Sequence, residues 1–510
     1  MMKKISSISC LFLVLTFPVF AQQVAPLWED FIKAKKTGAT PILPDFSYAG
    51  YHFSERSIPD QLKKPRFNVV DYGAKPDDAQ YDDEGIQRAV YAAEKNPSGG
   101  VVFFPPGKYL LAADHDSTKY IRISKSNIVL KGSGSGAGGT EIFQDKMRIH
   151  GRQIQFKPSS TNSRRLTTIT GNASRESFWV EVADASSLKA GQDVVIYHRS
   201  EESTKAYFAP LQLKAQWTRL FGPNGGMLIH EIHTIERIEG KRVKFKNPIH
   251  FDLKIVSSKP FELRTYSSIE ECGVEDILFS SNWKTYPEAF VHHKNAIHDY
   301  AWEAIGMENV KNSWVRNCVF NDWNEALYIR SGYQVSVLDV DFTGKKAHAS
   351  VHARTGYGVL IKNCNFNNAQ HHGAGTGYSA SGTVITQCTL GTDQNIDIHS
   401  GQPLATLYDQ IKGGVFFNLG GPEPGYPHHG KQLVLWNFQH SSEKDQHYNF
   451  WDPGRRRNFT IAEPILVGFQ SDRSVTFENT GTNQMQGKMV KPESLFEAQL
   501  LFRLKGEHRL

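Results

Sequence analysis

The sequence predicts an all-β parallel β-helix, a stack of short coils capped by a helix at each end. A six-residue pattern starting at Val315-Arg-Asn-Cys-Val-Phe320 returns at positions 337, 361, 385, 411 and 433, advancing by 22, 24, 24, 26 and 22 residues. Each unit is β-branched, punctuated by Gly and Asn, and shows no helical periodicity. Three cysteines, Cys318, Cys364 and Cys388, share one position of that pattern.

Such a period marks a solenoid, and the unit is too short for a helix pair. In stacked coils the same position recurs ~4.8 Å above its neighbour. The predicted interior column is therefore Cys318, Val340, Cys364, Cys388, Gly414 and Trp436, with Cys364 and Cys388 adjacent. These cysteines and Cys272 read as buried thiols. There is no disulfide framework and no cluster with zinc spacing.

The other elements follow along the chain. Met1, Met2, Lys3 and Lys4 precede an apolar run from Ile8 to Phe20 and then Ala21, which predicts a secretory signal peptide over 1–21. Residues 22–66, punctuated by Pro41, Pro44, Pro59 and Pro65, read as an extended arm. In 67–176, Asp82 or Asp83 is placed to N-cap a helix carrying Ile86, Ala89, Val90 and Ala93 on one face. That helix would cover the open apolar end before the first coils. Residues 177–253 read as a small β-rich insertion, with a hairpin from Ile235–Ile238 to Val243–Phe245 around Glu239-Gly240. The main coils occupy 254–470. A C-terminal cap fills 471–510, with an amphipathic helix in the stretch from Pro492 to Leu504.

Charge narrows the function. The net charge is +6, and loss of the signal removes two lysines and no acids. A mildly basic protein with no basic, aromatic-interleaved run is not a nucleic-acid binder. No apolar stretch reaches the ~20 residues of a membrane-spanning helix. The expected location is periplasmic or extracellular.

The opening Val69-Val-Asp-Tyr-Gly-Ala74, the capping helix and Val101-Val-Phe-Phe-Pro-Pro-Gly-Lys-Tyr109 resemble the pectate-lyase-like superfamily of carbohydrate enzymes. That resemblance implies a single-stranded, right-handed β-helix. It covers 67–130 closely and the later coils by pattern. The Asn-Thr-Asp, Asp-Asp and Gly-His-Gly set of polygalacturonase-like hydrolases is not evident, and a basic, His-rich cleft implies an eliminase.

A second strand in each coil ends in Ser/Thr-Gly: Leu327–Gly332, Val351–Gly356, His372–Gly377 and Ile396–Gly401. Alternation points Tyr328, His352, Gly373 and Asp397 outward in one column, with Arg330, Arg354, Gly375 and His399 beside them. The two glycines form a notch suited to a sugar ring. His371 and His372 enter the notch coil, with His372 turned inward unless the register bends. His293, Lys294 and Tyr300 sit in a spacer that can fold over the cleft, and His428-His429 follow another turn-rich excursion. His352, Arg354, Tyr328 and His399 are the catalytic candidates. Arg330, Asp397, His371, His372, His293, Lys294 and Tyr300 are the substrate-binding candidates.

This set suits β-elimination of an anionic, uronate-containing polysaccharide or oligosaccharide, sulfated or not. The proton at C5 is weakly acidic, and cationic donors on the carboxylate stabilise the enolate-like transition state. Arg330 and Arg354 would hold the anion. His352, or Tyr328, would take the proton. The same machinery would expel water from a terminal uronate. Hydrolysis needs two carboxyl groups ~5–9.5 Å apart, and the wall offers Asp397 alone, with Glu303, Asp322 and Glu325 unaligned. A non-catalytic glycan binder is the third alternative. Calcium would need an acidic cluster facing a coil; Asp77-Asp78 with Asp82-Asp83 sits at the capping helix instead. No metal or other cofactor is expected.

Overall fold

Parallel strands stacked one coil above the next dominate the computed structural model, which describes residues 23–111, 120–416, 419–454 and 459–506. The expected signal peptide lies outside the described residues.

Each coil contributes to three walls. The first begins at Arg66–Asn68 and Gly100–Phe103 and passes through Ile128–Lys131, Gly273–Glu275 and Val310–Arg316. It continues in the register Val315–Val337–Ile361–Ile385, the alignment that the repeat predicts. The second wall is a seven-stranded sheet from Gly107–Leu111 to Thr389–Leu390. The third runs from Ile121–Ile123 and Ile154–Phe156 through Glu303–Glu308 to the start of Glu325–Leu338. Ala349–Tyr357, His372–Gly377 and Asp397–Ile398 complete it.

The coil interior is an aromatic and aliphatic ladder. Phe279, Phe320, Phe342 and Phe366 stack with ring centroids 5.1, 5.5 and 4.9 Å apart. All four cysteines of the described residues are buried free thiols. Beyond Cys388 the predicted column is corrected. Ile385 pairs with Tyr408, and Tyr408 with Leu435, so Ile411 and Phe438 carry the column upward in place of Gly414 and Trp436. Gly414 instead takes a left-handed turn (φ +86°). Trp436 faces out of the coil and donates its indole N–H to the Pro492 carbonyl at 2.8 Å.

The N-terminal helix Asp83–Lys95 buries Ile86, Ala89, Val90 and Ala93 against the open end. Asp82 precedes it, but its carboxylate accepts from the amides of Lys75 (2.7 Å) and Leu110 (2.9 Å) and so braces the first coil rather than capping the helix. At the far end, Leu495–Lys505 starts at Ser494. The buried Asp409 accepts the Leu495 amide at 3.0 Å, tying that helix to the first wall.

Two expectations change. Residues 23–66 are not an extended arm: Pro26–Thr37 is a helix with Pro at its start and Gly38 (φ +74°) ending it. Leu27, Trp28, Phe31 and Ala34 recur along one buried stripe, and Phe31 meets Phe502 of the C-terminal helix at 6.5 Å. The insertion is wider than 177–253, because its six-stranded antiparallel sheet begins at Arg165–Ile169 and closes with Phe261–Thr265. The hairpin forms between Met227–Glu239 and Arg242–Phe245, turning at Gly240 (φ +61°). It docks on the first wall, where the Tyr333 hydroxyl donates to Asn247 Oδ1 at 3.0 Å.

Candidate active site

A cleft of about 970 Å³ runs along the outer face of the third wall. The strand columns at its wall are Tyr328–His352–Gly375–Asp397 and Arg330–Arg354–Gly377, of which Tyr328, His352, Arg330 and Arg354 line the cleft. The glycine coil is therefore displaced by two residues from the sequence alignment. In the other coils the left-handed turn falls at Ser331, Thr355 and Ser400, but here it falls at Tyr378 and Ser379, leaving Thr376-Gly377 inside the strand.

The glycines also do something other than admit a sugar. A Cβ at Gly375 would lie 2.9 Å from both His352 Cδ2 and Asp397 Cβ. Its absence lets two residues that are not on adjacent coils meet, with His352 Nε2 2.8 Å from Asp397 Oδ2. The notch is filled by the protein itself.

Asp397 is the hub. It is fully buried, and three imidazoles surround it. His372 Nδ1 donates to Oδ1 at 2.9 Å and His399 Nδ1 lies 3.2 Å from Oδ2. Burial alone would push this carboxyl up, but His372, His399 and His352 hold it well below the usual range. The three histidines then differ. His352 Nδ1 accepts from Arg354 Nη2 at 2.9 Å, and its Nε2 faces Asp397, out of line for a straight hydrogen bond, so neither ring nitrogen is open to the cleft. His399 turns Nδ1 to the carboxylate, and its ring lines the cleft. Burial, offset by Asp397, lowers it to about 4, so it is neutral at neutral pH.

Below the hub lies a second charged group. Arg152, from the coil under the wall, bonds Glu325 at 3.1 Å, and its guanidinium covers the Tyr328 ring at 4.1 Å. Arg354 approaches the same ring at 5.3 Å and that of Tyr378 at 5.1 Å. Glu303 and Glu325 are register partners on adjacent coils, and their buried carboxyls interact. Burial and the Glu325 charge push Glu303 up, whereas Arg152 and Arg354 override burial and keep Glu325 ionised. Two like charges this close and this buried favour retention of one proton by the pair.

Most of the remaining expected residues reach the cleft. Arg330, His293, Tyr300, His371 and His372 all line it. His372 bends to the cleft instead of inward because it opens the strand, in register with Ala349, Glu325 and Glu303 at the corner of the coil. His293 Nδ1 is held 2.7 Å from Asp299. Lys294 is a correction: it is exposed and paired with Glu288 at 2.7 Å, away from the lining. His428 lines the far side, whereas His429 is buried behind it.

Sequence reasoning missed Arg152, His348 and Tyr378, and left Glu303 and Glu325 unaligned. The carboxyl pair had a signal, since its spacing of 22 residues equals the coil repeat. Arg152 had none, because the insertion separates it from its neighbours on the wall.

Comparison with known proteins matches several segments of the chain. Residues 66–195 match the family described as rhamnogalacturonase A/epimerase, pectate lyase-like, and 265–403 match the right-handed β-helix region. Residues 369–508 match a domain of unknown function, DUF4955. Alginate lyase 7 of Azotobacter vinelandii is 39% identical over 70 residues, 14% of this chain and 8% of that protein. Among solved structures, the tailspike of Acinetobacter baumannii bacteriophage AP22, in complex with a capsular saccharide, aligns at TM-score 0.41 and 14% identity. The alignment covers 81% of this chain and 58% of that one. The A-module of an A. vinelandii mannuronan C-5 epimerase aligns at 0.41 and 13% identity (82% and 91%). An exopolygalacturonase from Thermotoga maritima aligns at 0.39 and 10% identity (84% and 83%). The coil register and these matches place residues 66–195 and 265–403 with the pectate-lyase-like and right-handed β-helix families.

Proposed function

We propose that the protein is a polysaccharide lyase that β-eliminates at a uronate residue, with His399 as base. The observation that carries this reading is the orientation of His399: Asp397 holds Nδ1, which leaves Nε2 as the lone pair of a neutral imidazole in an Arg-lined cleft.

In this reading Arg354 and Arg330 receive the uronate carboxylate, and their charge stabilises the enolate-like transition state. His399 Nε2 takes the C5 proton. The C5–H electrons form the C4=C5 double bond as the C4–O4 bond breaks. The leaving oxygen takes a proton from Glu303, which retains one beside Glu325, or from the Tyr328 hydroxyl between its two arginines. The similarity of a short segment to an alginate lyase supports the same class of substrate. Hydrolysis fits less well, because Glu303 and Glu325 are register partners on adjacent coils with strongly interacting buried carboxyls and Asp397 is fully enclosed, whereas glycosidase carboxyls stand ~5–9.5 Å apart around the scissile bond.

The test is incubation of the purified protein with a panel of uronate polysaccharides and their oligosaccharides. Ultraviolet absorbance of the conjugated double bond and the number of reducing ends are followed together. Rising absorbance with new ends is expected. New ends without absorbance would overturn elimination in favour of hydrolysis, and absorbance without shortening would identify a dehydratase.

A further inference from the structure

A second group of histidines adjoins the hub and shares His372 with it; none of its members contacts the substrate in the proposed elimination. His292 descends from the spacer loop, while His371 and His372 open the strand of the glycine coil. One nitrogen from each lies within 4.8 Å of the others. The His292 and His371 rings stack at 3.8 Å, and His372 lies 4.6 Å from His371 and 5.2 Å from His292, centroid to centroid. His348 closes the fourth side, 5.0 Å from His372 and 5.5 Å from His292.

We propose that His292, His371 and His372 bind a divalent transition-metal ion of the zinc class, with Asp397 orienting His372 and His348 at hand as a fourth ligand. Two independent features point there. First, the buried nitrogens His292 Nε2, His372 Nε2 and His348 Nδ1 have no hydrogen-bond partner. Native proteins rarely leave such atoms unsatisfied, and a missing ion is one standard reason when they do. Second, His372 donates its other nitrogen to Asp397. A carboxylate behind a metal-binding histidine fixes its tautomer and sharpens its lone pair in this way.

The donor set selects the ion. Imidazole nitrogens suit zinc, copper, nickel or iron, whereas calcium and magnesium require oxygens. Burial first, and neighbouring histidines second, lower His292 to about 4 and His371 to about 3. Both are therefore neutral and able to ligate at neutral pH. The local sequence hides the site, because His292 stands far from the His371-His372 pair and only coil stacking brings them together.

The test uses the full chain, stripped with a chelator and titrated with cobalt(II) as a visible probe and with zinc(II) by calorimetry. One equivalent per chain with cobalt d–d bands is expected. The H292A/H371A double variant should bind at least ~100-fold more weakly, and D397N ~10–100-fold more weakly. An H447A variant, which removes the exposed histidine held by Thr476, should bind like the parent. Circular dichroism and the unfolding midpoint establish that each variant folds, and H371A alone serves if the double variant does not. No binding by the parent, or unchanged binding by the folded His371 variant, overturns the site. Because binding is read without turnover, the result stands apart from whether elimination is observed.

Discussion

Arg354 donates from Nη2 to His352 Nδ1 at 2.9 Å. A guanidinium has no acceptor to offer, so this contact commits the imidazole lone pair. His352, an obvious base from its place on the strand, becomes a positioning residue that bridges Arg354 to Asp397. In the proposed elimination the proton-accepting role passes to His399.

That reassignment separates two variants. H399A is expected to lower kcat by ~10²–10⁴-fold, the usual worth of a general base. H352Q, which can still accept from Arg354, should lose only roughly tenfold, below the range expected for a general base. The rate of double-bond absorbance measures both, and equal losses would return His352 to the base position.

D397N keeps the shape of the hub but offers an N–H where the histidines need an acceptor. His399 should then turn its other tautomer to the cleft. A fall in kcat with little change in KM is expected, because the defect lies in proton transfer.

The carboxyl pair predicts an alkaline limit. Glu303 is held protonated by burial and by Glu325. Raising pH eventually strips that proton and puts two buried charges side by side. Activity should fall on the alkaline side, and E303Q, which cannot ionise, should flatten that limb. Stability shares the sign: the folded state binds the proton more tightly than the unfolded chain, so this contribution is present in acid and lost as pH rises. Urea midpoints of parent and E303Q across the same range would reveal it.

The buried pair His428 and His429 at the far side of the cleft predicts the opposite slope. His428 accepts the Thr460 amide, and His429 donates to the Gly430 carbonyl and contacts Thr406. Burial lowers them to about 3 and about 4, against 6.5 for a free histidine. Between 6.5 and these values the unfolded chain binds more protons than the folded one, so their stability contribution is lost as pH falls through that window. Each group steepens the loss by up to ~1.4 kcal/mol per pH unit. Denaturation midpoints at pH 7, 6 and 5 should descend, and a flat series would refute the assignment.

The interior ladder carries its own prediction. Phe342 stacks on Phe320 and Phe366 and is fully buried, so F342A should cost about 3–5 kcal/mol of stability. A loss below ~1 kcal/mol would mean that the neighbouring coils collapse into the gap.

Where the coils keep a regular length, the fold was legible. From Val315 to Leu390 the repeat sets every rung, and the Tyr328–His352 and Arg330–Arg354 columns follow from it. It failed where turns change length. Thr376-Gly377 mimics the strand-ending Ser/Thr-Gly of its neighbours, which shifted the glycine notch by two residues. Beyond Cys388 the longer turns moved Gly414 and Trp436 off the interior column. The helix Pro26–Thr37 was hidden by the prolines after it, although the spacing of Leu27, Trp28, Phe31 and Ala34 marks it. The histidine hub could not be read from alternation, because it depends on missing side chains at Gly375 and on a corner residue, His372, that escapes the alternating rule.

The insertion has a consequence for synthesis. Gly151 and Glu303, which bond across neighbouring coils, are 152 residues apart in the chain, and Arg152 and Glu325 are 173 apart. A nascent chain emerging from its N-terminus presents the floor of the cleft long before the strands that rest on it. Its uncovered upper edge must persist until the antiparallel sheet between them has been made and set aside. A folding catalyst or holdase that shields an open strand edge would act at this seam, and errors in assembly would concentrate there rather than in the regular coils above.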